Sequence, residues 1–160
     1  MEQNEQTVYN FEQILEQNGK LVYKTRGTSM QPLIRQNRDL VCIEAFHGTL
    51  RPLDTALYKR RDQYVLHRVI KVKDGYYLIR GDNTYALEKV PFGAVIGVLT
   101  GFVRKGHRHS VDERGYRLYS RVWTGLYPVR ALRLKIRCLL VVVARKTGLY
   151  EPLKRLLRRK

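Results

Sequence analysis

Long apolar runs are missing from this chain. The longest, Cys138 to Ala144, is seven residues, against the roughly 18–20 that span a bilayer, so no membrane-crossing helix is expected. Cysteine is scarce. Cys42 and Cys138 lie far apart in apolar runs, without metal-ligand spacing, which points to buried free thiols and to no metal and no cofactor. His107 and His109 have i, i+2 spacing, but no cysteine or further histidine follows nearby, and a solvated connector is expected there. Met1 to Gln17 has neither a basic start nor an apolar core, so no secretory signal is expected. Acidic residues are few where basic ones are many. Residues 1–100 hold 14 Lys/Arg and 11 Asp/Glu, whereas residues 101–160 hold 17 and 3. A near-neutral part is thus followed by a cationic one, which calls for an anionic partner.

The pattern of what is present reads as mainly β. A short helix is expected over Tyr9–Gln17, with Phe11, Ile14 and Leu15 on one face and Asn18-Gly19 as its stop. Strands follow at Leu21–Arg26, Leu40–Ala45 and Thr55–Lys59. Gln63–Val72 and Tyr76–Arg80 flank Lys73-Asp74-Gly75 as a hairpin. Within its first arm Val65, His67 and Val69 share one face, and Leu66, Arg68 and Ile70 the other. Ala94–Val103 is the last expected strand, with Gly97 and Gly101 marking a bulge or close backbone packing. Beyond Lys105 the pattern turns helical. Pro128–Ala144 carries an apolar stripe beside Arg130, Arg133 and Arg137, and a second basic helix starts at Pro152. The expected organisation is residues 1–105 as a catalytic-type domain and residues 106–160 as a basic amphipathic extension.

Three elements hold chemistry. Gly27-Thr28-Ser29-Met30-Gln31-Pro32 follows a strand, and Pro32 restricts Gln31 while Gly27 permits close backbone approach. That arrangement suits a presented serine hydroxyl. Leu66-His67-Arg68-Val69 supplies an imidazole, and Gly81-Asp82-Asn83 a carboxylate. A serine needs a neighbouring base to become nucleophilic, histidine titrates near working pH, and a carboxylate can fix the imidazole tautomer. Each alone also fits an ordinary role: a turn serine, a half-buried strand histidine, an aspartate capping a turn.

Taken together, Leu21 to Phe102 resembles the signal peptidase and repressor-type serine peptidase superfamily, in its histidine-base form. Ser-Met-x-Pro resembles the nucleophile motif, Leu-His-Arg-Val the base strand and Gly-Asp-Asn the family's own box. The resemblance implies a signal-peptidase/LexA-like coiled-sheet catalytic domain. It implies Ser29 as nucleophile, His67 as general base and Asp82 as its orienting acid, with Glu88 as a possible second acid. Gly27, Met30 and Pro32 would bind substrate or serve the oxyanion. Departures are also present. Gly27 stands where some relatives carry a hydroxyl, two family Gly-Asp turns read Arg38-Asp39 and Leu53-Asp54, and the usual N-terminal anchor is missing.

The implied activity is hydrolysis of a peptide bond in an extended substrate segment. The expected partners are a peptide or protein substrate and an anionic membrane surface met through residues 126–160. The expected location is cytoplasmic, peripheral on the inner face of the membrane. Two other readings stand beside it. One is an inactive peptide-binding module of the same fold. The other is nucleic-acid binding through residues 104–160, where Tyr116, Tyr119, Trp123 and Tyr127 interleave with basic residues.

Overall fold

The computed structural model describes residues 10–133 and 136. They form two compact units that divide between Thr124 and Gly125. The first unit is mainly β, an antiparallel sheet curled into a half-barrel. It opens with α1 (Phe11–Asn18), capped by Asn10, whose side chain accepts from the Glu12 N–H, and ended by Gly19 in a left-handed conformation at φ 68°. Strands β1 (Lys20–Lys24), β2 (Asp39–Ala45), β3 (Thr55–Arg60), β4 (Gln63–Lys73), β5 (Tyr76–Arg80), β6 (Glu88–Pro91), β7 (Val95–Arg104) and β8 (His107–Ser110) follow, then α2 (Arg114–Gly125). The sheet order is β1-β2-β7-β3-β4-β5-β6, with β8 also on β7.

The alternation of β3 and β4 sends side chains into two cores. Leu57 and Leu66 join Leu21, Met30, Ile34, Val41, Ile43 and Leu99 under α1. Ala56, Tyr58 and Val69 join Leu50, Tyr77, Ile79 and Val90. His67 pairs across the sheet with Ala56, so it shares the face of Val65 and Val69, as the period-2 pattern predicts. The glycine-containing strand β7 also behaves as expected. The register of β7 shifts opposite both Cys42/Ile43 and Leu57/Tyr58. A Cβ on Gly97 would lie 2.6 Å from Ile43 and 2.9 Å from the Glu44 carbonyl, so bulk there would split the sheet.

Three readings are corrected. His107–Ser110 is strand β8 rather than a connector, and His109 stacks on Phe102 at 5.0 Å and meets Glu113 at 3.4 Å. Glu88–Pro91 is a strand that the sequence pattern left out. Helix α2 (Arg114–Gly125) is likewise an element that the sequence pattern left out. The first unit runs through Thr124, because α2 packs its Tyr116, Tyr119, Ser120 and Trp123 on residues of the β-sheet and its turns.

In the second unit, residues 127–133 are helical. Most of the basic helix expected over Pro128–Ala144, and all of the one expected from Pro152, lie outside the described residues.

Candidate functional site

The serine sits in a turn that several elements hold in place. Gly27 precedes it at φ 91°, a conformation that L side chains rarely adopt. A Cβ there would meet nothing within 4 Å, so this glycine serves backbone conformation and not the close approach its sequence suggested. Its N–H donates to Gln36 Oε1 at 2.8 Å. The peptide between Gln31 and Pro32 is cis. Met30 is buried in the core under α1, while Pro32 is exposed and lies apart from the groove that Gly27, Ser29 and Met30 line.

The Gly81-Asp82-Asn83 turn binds this serine segment, with a separate task for each residue. The Asn83 N–H donates to the Ser29 carbonyl at 2.7 Å, and Asn83 Nδ2 donates to the Thr28 carbonyl at 3.2 Å. Gly81 fits where nothing larger would. A Cβ at that position would fall 2.7 Å from the Ser29 carbonyl oxygen and 2.9 Å from His67 Nε2. The serine turn and the imidazole are therefore separated by about one small side chain. Gly81→Ala is expected to push Ser29 and His67 apart and to lower stability by about 1–3 kcal/mol. Denaturant unfolding checks the second effect, and the first would appear as loss of any reaction at Ser29.

Asp82 faces elsewhere. Arg68 Nε and Nη2 each donate to it at 2.8 Å, and the Tyr119 hydroxyl donates to its Oδ2 at 3.1 Å. Arg68, fully buried, also donates to the Leu53 carbonyl at 2.9 Å and to Ser120 Oγ at 2.8 Å. Burial alone would lower its pKa, but the hydrogen bond and charge of Asp82 outweigh it and raise it above the ordinary value. Trp123 Nε1 donates to the Asp82 carbonyl at 2.8 Å. Asp82 is thus the node that ties α2 and β4 to the serine turn.

The carboxylate at His67 Nδ1 belongs to Glu88, with Oε1 at 3.4 Å. The preference between the two acids is reversed relative to the sequence reading. The Tyr58 hydroxyl lies 3.1 Å from Nδ1 and donates to Glu88 Oε2 at 2.9 Å, while Arg60 Nη1 holds both Glu88 oxygens at 3.0 and 3.1 Å. Because the single Tyr58 hydrogen goes to Glu88, the network assigns the imidazole proton to Nδ1. Nε2 then carries the lone pair. It accepts no hydrogen bond among the described residues, and no fully buried side-chain nitrogen or oxygen there lacks a partner, so Nε2 opens to the groove. Burial pushes the His67 pKa below its ordinary value. The Glu88 charge opposes this, Arg60 reinforces it, and Asp82 gives a weaker opposing field. His67 is therefore neutral near pH 7.

Comparison with protein-family models and with characterised proteins finds no match.

The groove is about 1380 Å³ and runs from Phe11 and Ile14, along β1 to Ser29, and across to His67 and Glu88. Its described walls supply a hydroxyl, a neutral imidazole with a free lone pair and, behind it, a relay from buried Tyr58 to half-buried Glu88. Sequence reasoning missed Tyr58 and Arg60. The signal was present: the β3–β4 hairpin register puts Ala56 opposite His67, which makes Tyr58 its diagonal neighbour on the same face. Among the described residues no group of three or more His, Cys, Asp or Glu could hold a metal ion.

Proposed function

We propose that this chain is a serine endopeptidase of signal-peptidase type acting on an extended peptide segment. One observation carries the reading: His67 Nε2, freed of its proton by the Tyr58–Glu88 relay, opens to the groove that Ser29 lines, beside a turn where only glycine fits. Ser29 Oγ attacks the scissile carbonyl carbon and its proton passes to Nε2. The resulting imidazolium is stabilised through Nδ1 by Glu88. Nε2 then returns the proton to the departing amine, and a water, deprotonated by the same nitrogen, releases the acyl group from Ser29. The Ser29 backbone N–H is the candidate oxyanion donor, with Gly27 leaving the second donor to another backbone group.

At the two turns that depart from the family pattern the aspartate remains. Leu53 stands at the glycine position of one Gly-Asp turn and has φ at 81°, a conformation that favours glycine. Asp39, fully buried, holds the other turn. Burial would raise its carboxyl pKa, but hydrogen bonds from Arg38, Arg104 and the Arg35 N–H hold it well below the usual carboxylate range.

Ser29 and His67 share no hydrogen bond among the described residues, which favours a peptide-binding module without catalysis as the second reading. A serine-directed acylating probe separates the two. The wild-type chain should be labelled, Ser29→Ala should not, and His67→Ala should be labelled far more slowly. An unlabelled wild type would leave the binding module.

The anionic-membrane partner is part of the proposal. Leu118 and Val122 of α2 are 65% and 48% exposed among Arg114, Arg117 and Arg121. Leu126, Val129, Leu132 and Ile136 of the second unit are exposed as well. Apolar and basic residues mixed on a helix surface suit a lipid interface, and no helix among the described residues is long and apolar enough to cross one. The full chain should float with vesicles containing anionic lipid, and the chain truncated after Gly125 should not. Equal flotation of both would remove the anchoring role of residues 126–160.

A further inference from the structure

We infer that the groove selects acidic peptides, with carboxylate side chains at alternate positions along β1; this rests on the groove binding an extended peptide, whether or not it cuts one. Strand β1 is an edge. It pairs with β2 through Lys20↔Glu44 to Lys24↔Leu40, and its other side carries no strand among the described residues. Lys20, Val22 and Lys24 point to one exposed face of it, and Arg26 continues that spacing toward Ser29.

The cations on this face are unequally served. Lys20 meets Glu44 of β2 at 3.3 Å. Lys24 stands opposite Leu40 and cannot be matched the same way. Neither Lys24 nor Arg26 makes an ion pair or a side-chain hydrogen bond among the described residues, and both line the groove. The acidic side chain lining the groove, Glu88, is already engaged by Arg60 and Tyr58. Among the described residues the groove beside the serine therefore holds two uncompensated positive charges, spaced two residues apart on an edge that no described strand covers. A peptide adding to that edge has the same period of two, so acidic side chains at alternate positions come level with Lys24 and Arg26. Opposite charges placed across neighbouring strands attract, and like charges repel.

The test uses full-length Ser29→Ala protein, which can bind but not acylate through Ser29, and fluorescein-labelled extended peptides that differ only at two alternate positions: Glu, Gln or Lys. Fluorescence anisotropy should show the Glu peptide binding about fivefold tighter than the Gln peptide at low salt, with the gap closing as salt screens it. The Lys peptide should bind weakest. Adding Lys24→Glu and Arg26→Glu should reverse the order, whereas Arg117→Glu with Arg121→Glu on α2 should leave it. Equal binding of Glu and Gln peptides overturns the inference. So does a preference that survives Lys24→Glu/Arg26→Glu, which would assign it to the basic C-terminal residues. If the preference holds but the wild-type chain never cleaves the Glu peptide, the selection for acidic peptides stands and the peptidase reading falls.

Discussion

Replacement of Arg68 by alanine is expected to remove about 3–5 kcal/mol of stability, because it leaves Asp82 as an unpaired buried charge. A domain of this size has about 5–15 kcal/mol in total, so the variant would be marginal at best. The loss extends beyond one pair. Arg68 holds Asp82 with two hydrogen bonds, and the same guanidinium reaches the Leu53 carbonyl and Ser120 on α2. Its removal strands a carboxylate, a carbonyl and a helix contact at once. Denaturant unfolding of the full chain measures the loss. The single tryptophan, Trp123, reports directly, since it donates to the Asp82 carbonyl and stacks on Tyr119 at 5.7 Å. Arg68→Met combined with Asp82→Leu should be much milder than Arg68→Ala, because two apolar groups leave no charge behind. A loss below about 1 kcal/mol for Arg68→Ala would show that water reaches Asp82 and that this node is not what fixes α2.

That node marks the limit of what the residues disclosed. The strands around the site followed from alternation: β4 placed His67 with Val65 and Val69, and the structure agrees. The hairpin at Asp74-Gly75 followed from turn chemistry. Gly81-Asp82-Asn83 was legible as a functional unit but not in its division of labour. The residue following a histidine in a strand lies on the opposite face, so Arg68 looks like a solvated charge until α2 is known to cover it. Helix α2 itself was hidden, since Arg114–Gly125 is rich in Arg, Tyr and Gly, and its half-buried Tyr116 and Tyr119 pack on the core under α1 while also hydrogen-bonding to the Arg68–Asp82 pair. Once Asp82 is taken by Arg68, His67 must be served by another acid. Glu88 fills that place from β6, a four-residue strand too short to announce itself by periodicity.

On the peptidase reading, His67→Ala is expected to lower kcat/KM by about 100- to 10,000-fold, the usual contribution of a positioned general base, without a comparable loss of fold. The pH profile carries the finer information. Burial holds the His67 pKa below its ordinary value near 6.5, so the required neutral form persists on mild acidification and the acid limb of kcat/KM should have its midpoint below 6.5. The sign for stability follows from the same shift. Below about pH 6.5 the unfolded chain binds a proton that folded His67 resists, so this contribution is complete above 6.5 and is lost as pH falls through the folded value. Glu88→Gln removes the field that raises the His67 pKa most. The acid limb should move to lower pH while the plateau falls, because the imidazolium loses its carboxylate. Tyr58→Phe should keep the charge and lose the relay, with about a tenfold drop in plateau, the scale of one hydrogen bond to a charged group. Asp82→Asn should shift the limb less, its field at His67 being the weaker, and should show itself mainly as reduced stability through Arg68. Profiles of the three variants, each measured above its unfolding range, decide the assignment. A limb unmoved by Glu88→Gln but displaced by Asp82→Asn would return the orienting role to Asp82 and break the relay through Tyr58.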